Sequence, residues 1–409
     1  MNNASAVGAR PWRTIAVRLS EFLVVAFCTL TFALTVLGIG HSLLEKNAAG
    51  TRDFVEYWST SHLLANHVNP YDSAALLATE RSIGLPPDVS VMVLPNPPIA
   101  LLLVAPLHFL PAATALWAWC FALVLCLGIS VTAIRRLHSR PATTLDLLGY
   151  SFAPVLCCLL MGQMSMLILL GLALFLCWNK TRPAAAGCAL CFCLLKPHLL
   201  LPFAVVLLVW AVQSRKYRLL AGSVIGLTAA IAVVLALDPH AFAQYSAMMA
   251  AARVDKTPIP CLSNALRRAI APDAMWLQYL PAALGSIWAL DYYRRRRTSW
   301  DWATHGSLLV LVSFAVAPYS WLTDQCVLVP VILHGLYLTR SRAIVIALAL
   351  ASAVLQLSVF GGGTRLMHSP LVLWTVPVWI AWYILAVRHS HAEPVSATAP
   401  GLQNSLGAA

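Results

Sequence analysis

From Phe22 to Leu44 the chain runs without a Lys, Arg, Asp or Glu. About 20 predominantly apolar residues are what an α-helix needs to cross a bilayer. Inside hydrocarbon the backbone must satisfy its own hydrogen bonds, so such a run folds as a helix. It is the first of many. The 409-residue chain is 60% hydrophobic and only 10% charged, with mean hydropathy +0.77, where a soluble domain carries roughly a quarter charged residues. The fold class that follows is an all-α polytopic membrane protein.

Arg10, Arg13 and Arg18 precede the first run and no small-residue cleavage site follows it, so it reads as an uncleaved helix with its N-terminus in the cytoplasm. Further spans are expected near 112–134, 143–161, 164–178, 184–196, 198–213, 218–237, 274–291, 303–318, 322–338, 343–359 and 370–387. The run from Ile99 to Leu110 is too short for a crossing and reads as a re-entrant or interfacial helix. With that choice, the basic clusters at 135–140, 180–182, 215–218, 294–297, 340–342 and 388 all fall on one side. That gathers eighteen of the 27 Lys and Arg residues inside, as the positive-inside rule requires. The expected topology is about twelve crossings in the inner (plasma) membrane, with both termini cytoplasmic. Residues 1–388 form one integral domain with outer loops 45–111 and 238–273, and 389–409 form a disordered cytoplasmic tail. The net charge of +12 therefore records orientation. No nucleic-acid partner is expected; membrane lipids are.

The acids are distributed differently. Six of fifteen lie between residues 45 and 96: Glu45, Asp53, Glu56, Asp72, Glu80 and Asp88. Asp53, Tyr57 and Ser61 are spaced i, i+4, i+8, so a helix there carries all three on one face. Asp53 is either a general base beside the outer membrane face or a helix cap. Lys196 ends an apolar span before Pro197 and His198. Together they either hold a phosphate or are a snorkelling lysine and its neighbour. Gln163 sits in a turn between two spans. Asp324 is a sugar ligand or a cap. Tyr57, Trp58 and Trp321 stack on a sugar or belong to the interfacial aromatic belt. Arg253, Lys256, Arg267 and Arg268 are either further phosphate contacts or a solvated face. The eleven cysteines lack metal-ligand spacing and read as small buried hydrophobes. There is no Walker A motif, and Gly361-Gly362-Gly363 reads as a flexible turn.

Taken together, Asp53-Phe54 with Tyr57-Trp58, Asn69-Pro70-Tyr71-Asp72, and Asn96-Pro97-Pro98 with Ala105-Pro106-Leu107 resemble the first outer loop of glycosyltransferase family 87. Gly162-Gln163, Lys196-Pro197-His198 and Pro318-Tyr319-Ser320-Trp321 follow in the family's order, over roughly residues 20–385. The resemblance implies a GT-C-like enzyme that moves a sugar, mannose above others, with inversion from a polyprenyl-phosphate donor to a lipid or glycan acceptor on the outer face. It implies Asp53 as base. The substrate-binding set is then Glu56, Tyr57, Gln163, Lys196, His198, Trp321 and Asp324, with no metal or cofactor. Many relatives have a His shortly after the Trp matching Trp321, where this chain has Leu322-Thr323-Asp324. The rival class is a transporter or flippase of lipid-linked substrates. Transporters concentrate ionisable groups near the midplane, whereas here the acids gather in one outer loop.

Overall fold

The computed structural model describes residues 11–251, 259–363, 366–367 and 369–390. Among them there are helices and no strands. The order begins with α1 (Pro11–Leu43), α2 (Phe54–Ala65) and α3 (Ser73–Ser82), then α4 (Leu101–Val104) between 3₁₀ turns, and α5 (Ala112–Leu137). α6 (Asp146–Tyr150), α7 (Ala153–Met161) and α8 (Ser165–Trp178) follow, then α9 (Pro183–Ala189), α10 (Leu201–Gln213) and α11 (Tyr217–Leu237). The second half holds α12 (Ala241–Ala251), α13 (Leu262–Ile270), α14 (Trp276–Arg296), α15 (Trp302–Ala315), α16 (Val329–Leu338), α17 (Arg342–Gly362) and α18 (Thr375–Arg388). Of the tail expected at 389–409, residues 391–409 lie outside the described residues, as do Arg253, Lys256, Thr364 and Arg365.

Five helical stretches are long and apolar enough to cross a membrane: 19–43, 112–137, 217–237, 342–362 and 370–388. A sixth is added if 183–195 and 197–213, which meet at 117°, form one broken span. The count of twelve is not reached by this measure, and the reason is local. The stretch expected at 143–161 is split into α6 and α7 ahead of Pro154. α8 and α15 have only 14 residues each, about 21 Å of helix against ~30 Å of hydrocarbon. α14 has Pro281 in its interior and Asp291 near its end. The run 98–109 is a short, broken element, as its length predicts.

The most completely covered helices, α7, α8 and α16, are short. α8 is apolar on every side and nearly all of it is covered, as expected of a helix surrounded by protein. Its Phe175 meets Trp302 edge-on at 5.1 Å, and Phe203 and Trp210 close on the same indole at 5.0 and 5.3 Å. Two long helices lie outside: α1 and α11 turn residues such as Leu37 and Ile225 outward, whereas α5 is half buried. All eleven cysteines are free. Cys157, Cys158 and Cys193 are buried as expected, whereas Cys188 is exposed. α17 continues through Gly362, so the first two glycines of the expected turn are helical.

Candidate active site

Much of the loop between α1 and α5 is folded against the helices, although Glu45, Asn66 and Asp72 are exposed. α2 begins directly after Asp53, and Tyr57 and Ser61 on its shared face are completely buried. Glu56 and Glu80 are buried too. Arg52 ties the loop down: its guanidinium donates to the carbonyls of Ala48 (3.0 Å) and Leu160 and to Ser42 Oγ (2.9 Å). The Asn69–Asp72 motif is a local device. Asn69 Oδ1 accepts from Tyr71 N at 2.9 Å, and Asp72 caps α3 by accepting from Ala75 N at 2.7 Å. Asn96 joins the loop to the break between α9 and α10, donating to the Leu195 carbonyl at 2.9 Å.

Two chain breaks bring the remaining groups to Asp53. The first is the turn from α7 to α8. Gly162 caps α7 at φ 69°, in the left-handed region that glycine adopts without a Cβ penalty. A Cβ there would lie 3.2 Å from the Cβ of Phe54. Trp119 Nε1 holds the turn by donating to the Gly162 carbonyl at 2.6 Å. The second break is Lys196, whose backbone leaves the helix (φ −143°, ψ 71°) between two 3₁₀ segments, where the following Pro cannot continue the helix.

Gln163 is the hub. Its Nε2 donates to Asp53 Oδ2 at 2.5 Å, and its Oε1 accepts from Lys196 Nζ and from Tyr57 OH, each at 3.1 Å. Lys196 Nζ also pairs with Asp324 Oδ1 at 2.7 Å. Asp324 is almost fully buried. Its Oδ1 further accepts from Ser165 Oγ at 2.5 Å, and its Oδ2 accepts from Trp321 N at 2.9 Å. The ammonium therefore does not snorkel to water, as one reading of the sequence had it; it is turned inward onto a carboxylate.

These groups line a cavity of about 380 Å³. Asp53, Glu56, Gln163, Lys196, His198, Trp321 and Asp324 all contribute to its wall. Tyr57 does not. It lies behind the wall against Trp119, with ring centroids 5.5 Å apart, and supports Gln163. Trp58 is also absent from the wall and donates to the Leu110 carbonyl at 3.0 Å. Arg267 is buried beside the Met275 sulfur and Arg268 is exposed, and neither reaches the cavity. Burial, reinforced by the charge of Asp53, holds the Glu56 carboxyl well above the ordinary range, with Lys196 opposing. His198 stacks on Tyr319 at 3.7 Å, and its buried Nε2 has no partner among the described residues.

Ser165, Tyr319 and Tyr245 are parts of the site that sequence reasoning passed over. Ser165 follows Gln163 by two positions at a helix start. Tyr319 lies inside the quoted Pro318–Trp321 motif. Tyr245 lines the cavity and donates to the Pro95 carbonyl at 3.0 Å, and nothing local in the sequence marks it. Among the described residues no group of three or more His, Cys, Asp or Glu side chains is arranged to hold a metal ion.

Compared with known proteins, residues 94–336 match the family model described as glycosyltransferase family 87. No curated protein and no solved structure matches the chain.

Proposed function

Because the chain belongs to glycosyltransferase family 87, and is thus a glycosyltransferase built from membrane-length helices, we propose that the cavity around Gln163 is where the sugar is transferred, with Asp53 as general base. One observation carries this reading. A first-loop carboxylate and a buried ammonium, 143 positions apart, are both bonded to one side-chain amide at the wall of one cavity.

In this reading Asp53 takes the proton of an acceptor hydroxyl. The oxygen attacks the anomeric carbon from the face opposite the phosphate, the bond to the phosphate breaks, and the configuration inverts. Lys196 has three N–H donors, of which Asp324 and Gln163 engage two. The third, with His198, meets the leaving phosphate. Asp324 has both oxygens engaged, so its part is to hold Lys196 in place. Glu56 and Trp321 face the sugar. The donor is a polyprenyl-phosphate sugar, mannose before others, whose chain rests in the bilayer; the acceptor is a lipid or glycan. The cavity opens on the outer side of the inner membrane and both termini lie in the cytoplasm, supported by the basic clusters at the opposite ends of the spans. The shorter helices then supply the crossings beyond six.

The test is turnover in detergent, where no gradient exists. Purified protein is incubated with radiolabelled polyprenyl-phosphate mannose, or glucose, and a membrane lipid extract. Label is expected to appear in a new glycosylated product. Asp53→Asn should lower kcat by about 10²–10⁴-fold while donor binding persists. Glu56→Gln, about one helical turn away, removes a comparable acid without removing the proposed base and should stay active. Wild-type turnover in Asp53→Asn would remove the base assignment.

A further inference from the structure

A second cavity, of about 580 Å³, lies between α5 and α8. Its floor on α5 is the series Val124, Gly128, Thr132 and Arg136, each four residues after the last and so on one face of the helix. α8 closes the other side with Leu174, Cys177 and Trp178. The depth comes from Gly128, where a Cβ would meet nothing within 4 Å. Ser165, at the other end of α8, bonds Asp324 in the active-site cavity. The 13-residue rise to Trp178 puts the two cavities about 20 Å apart.

The groove has an apolar body and a cationic end. Its neighbours in the arginine cluster are committed: Arg135 lies 3.9 Å from Asp146, and Arg140 donates to the Tyr337 carbonyl at 2.8 Å. Arg136 lines the groove, is exposed, and among the described residues makes no side-chain hydrogen bond or ion pair. Tyr150 and Trp178 stand at the same end, and Arg182 lies 6.0 Å over the Trp178 ring. From Val124 to Arg136 the helix rises about 18 Å, close to the depth of one leaflet, roughly half of the ~30 Å hydrocarbon core. α5 is itself long and apolar enough to span, so the groove opens onto lipid.

We propose that this groove is a binding site for one anionic phospholipid of the leaflet on the arginine-rich side, with an acyl chain along Val124–Thr132 and its phosphate on Arg136. The match of length, apolar lining and one uncommitted guanidinium distinguishes it from ordinary lipid-facing surface, where chains meet ridges and no fixed charge. A zwitterionic lipid carries the same chain, but its own ammonium competes for the phosphate, so the site selects net negative charge.

The experiment uses the full chain in nanodiscs doped with phosphatidylglycerol or phosphatidylcholine bearing a diazirine on the acyl chain. Crosslinked peptides are then mapped by mass spectrometry. The phosphatidylglycerol probe should label 124–136 and 174–178 about 5–10-fold more than the phosphatidylcholine probe. Arg136→Gln should bring the two probes level. Gly128→Phe should abolish labelling at 124–132, because the ring occupies the groove, while elution volume and glycosyl transfer stay unchanged. Equal labelling of the wild type by both probes, or a preference that survives both substitutions, would overturn the proposal.

Discussion

The long helices at the rim and the broken helices at the centre of this molecule obey different rules. α1 and α11 are unbroken, nearly free of charge and turned outward. A lipid-facing helix cannot leave a backbone group unpaired, since no water is present to satisfy it. α7, α8 and the 183–213 pair are short, capped or bent, and largely wrapped in other helices. There, Gly162, Lys196 and Trp321 interrupt regular helix, and each interruption delivers a side chain or backbone group to the polar network. The difference teaches that chemistry in such a fold sits where protein, rather than lipid, surrounds a helix end.

That contrast is most sharply tested at the buried ion pair. Lys196→Met leaves Asp324 charged without its main partner, and Asp324→Leu strands the ammonium. Removing one member of a buried pair typically costs about 3–5 kcal/mol. Each single variant should unfold at markedly lower temperature in detergent. The double variant should recover much of the stability and none of the transfer activity. If the singles melted like wild type, the centre would be no more demanding than the rim.

Glycine separates the two regions next. Gly162→Ala places a Cβ at positive φ and 3.2 Å from the Phe54 Cβ, which should cost about 1–2 kcal/mol. Gly128→Ala enters open space within a regular helix and should gain about 0.5–1 kcal/mol. Thermal melts of the two variants should move in opposite directions; movement in the same direction would dissolve the distinction.

The smallest effect is expected at the edge of the cavity. Glu80 is buried, with Oε2 accepting from Met92 N at 3.1 Å and Oε1 without a partner among the described residues. Burial pushes its carboxyl up to about 7, against the pull of the Met92 N–H and Arg81. A raised pKa means the fold favours the protonated acid. Its contribution is complete below about 4.5 and is lost as pH rises through about 7. Amide protection over residues 83–97 should therefore fall a few-fold between pH 6 and pH 8, beyond any change in α11, and Glu80→Gln should flatten the response. A flat wild-type profile would remove Glu80 as an anchor of this segment.

The sequence by itself determined that this is an all-helical membrane protein, because period and charge are local properties that a bilayer reads directly. It also made Asp53, Gln163, Lys196 and Asp324 visible, since a polar residue flanking an apolar span stands out against its surroundings. Of the twelve crossings it suggests, five or six are helices of membrane length, because an apolar run buried in protein and one buried in lipid have the same composition and only packing decides where each helix breaks. The roles within the network were equally out of reach. Tyr57 reads as a ligand in sequence yet supports Gln163 from behind, Lys196 reads as a span end yet is locked to Asp324, and Tyr245 gives no signal at all. Those assignments depend on distances between residues more than a hundred positions apart, which are fixed by how helices cross and not by what any one segment prefers.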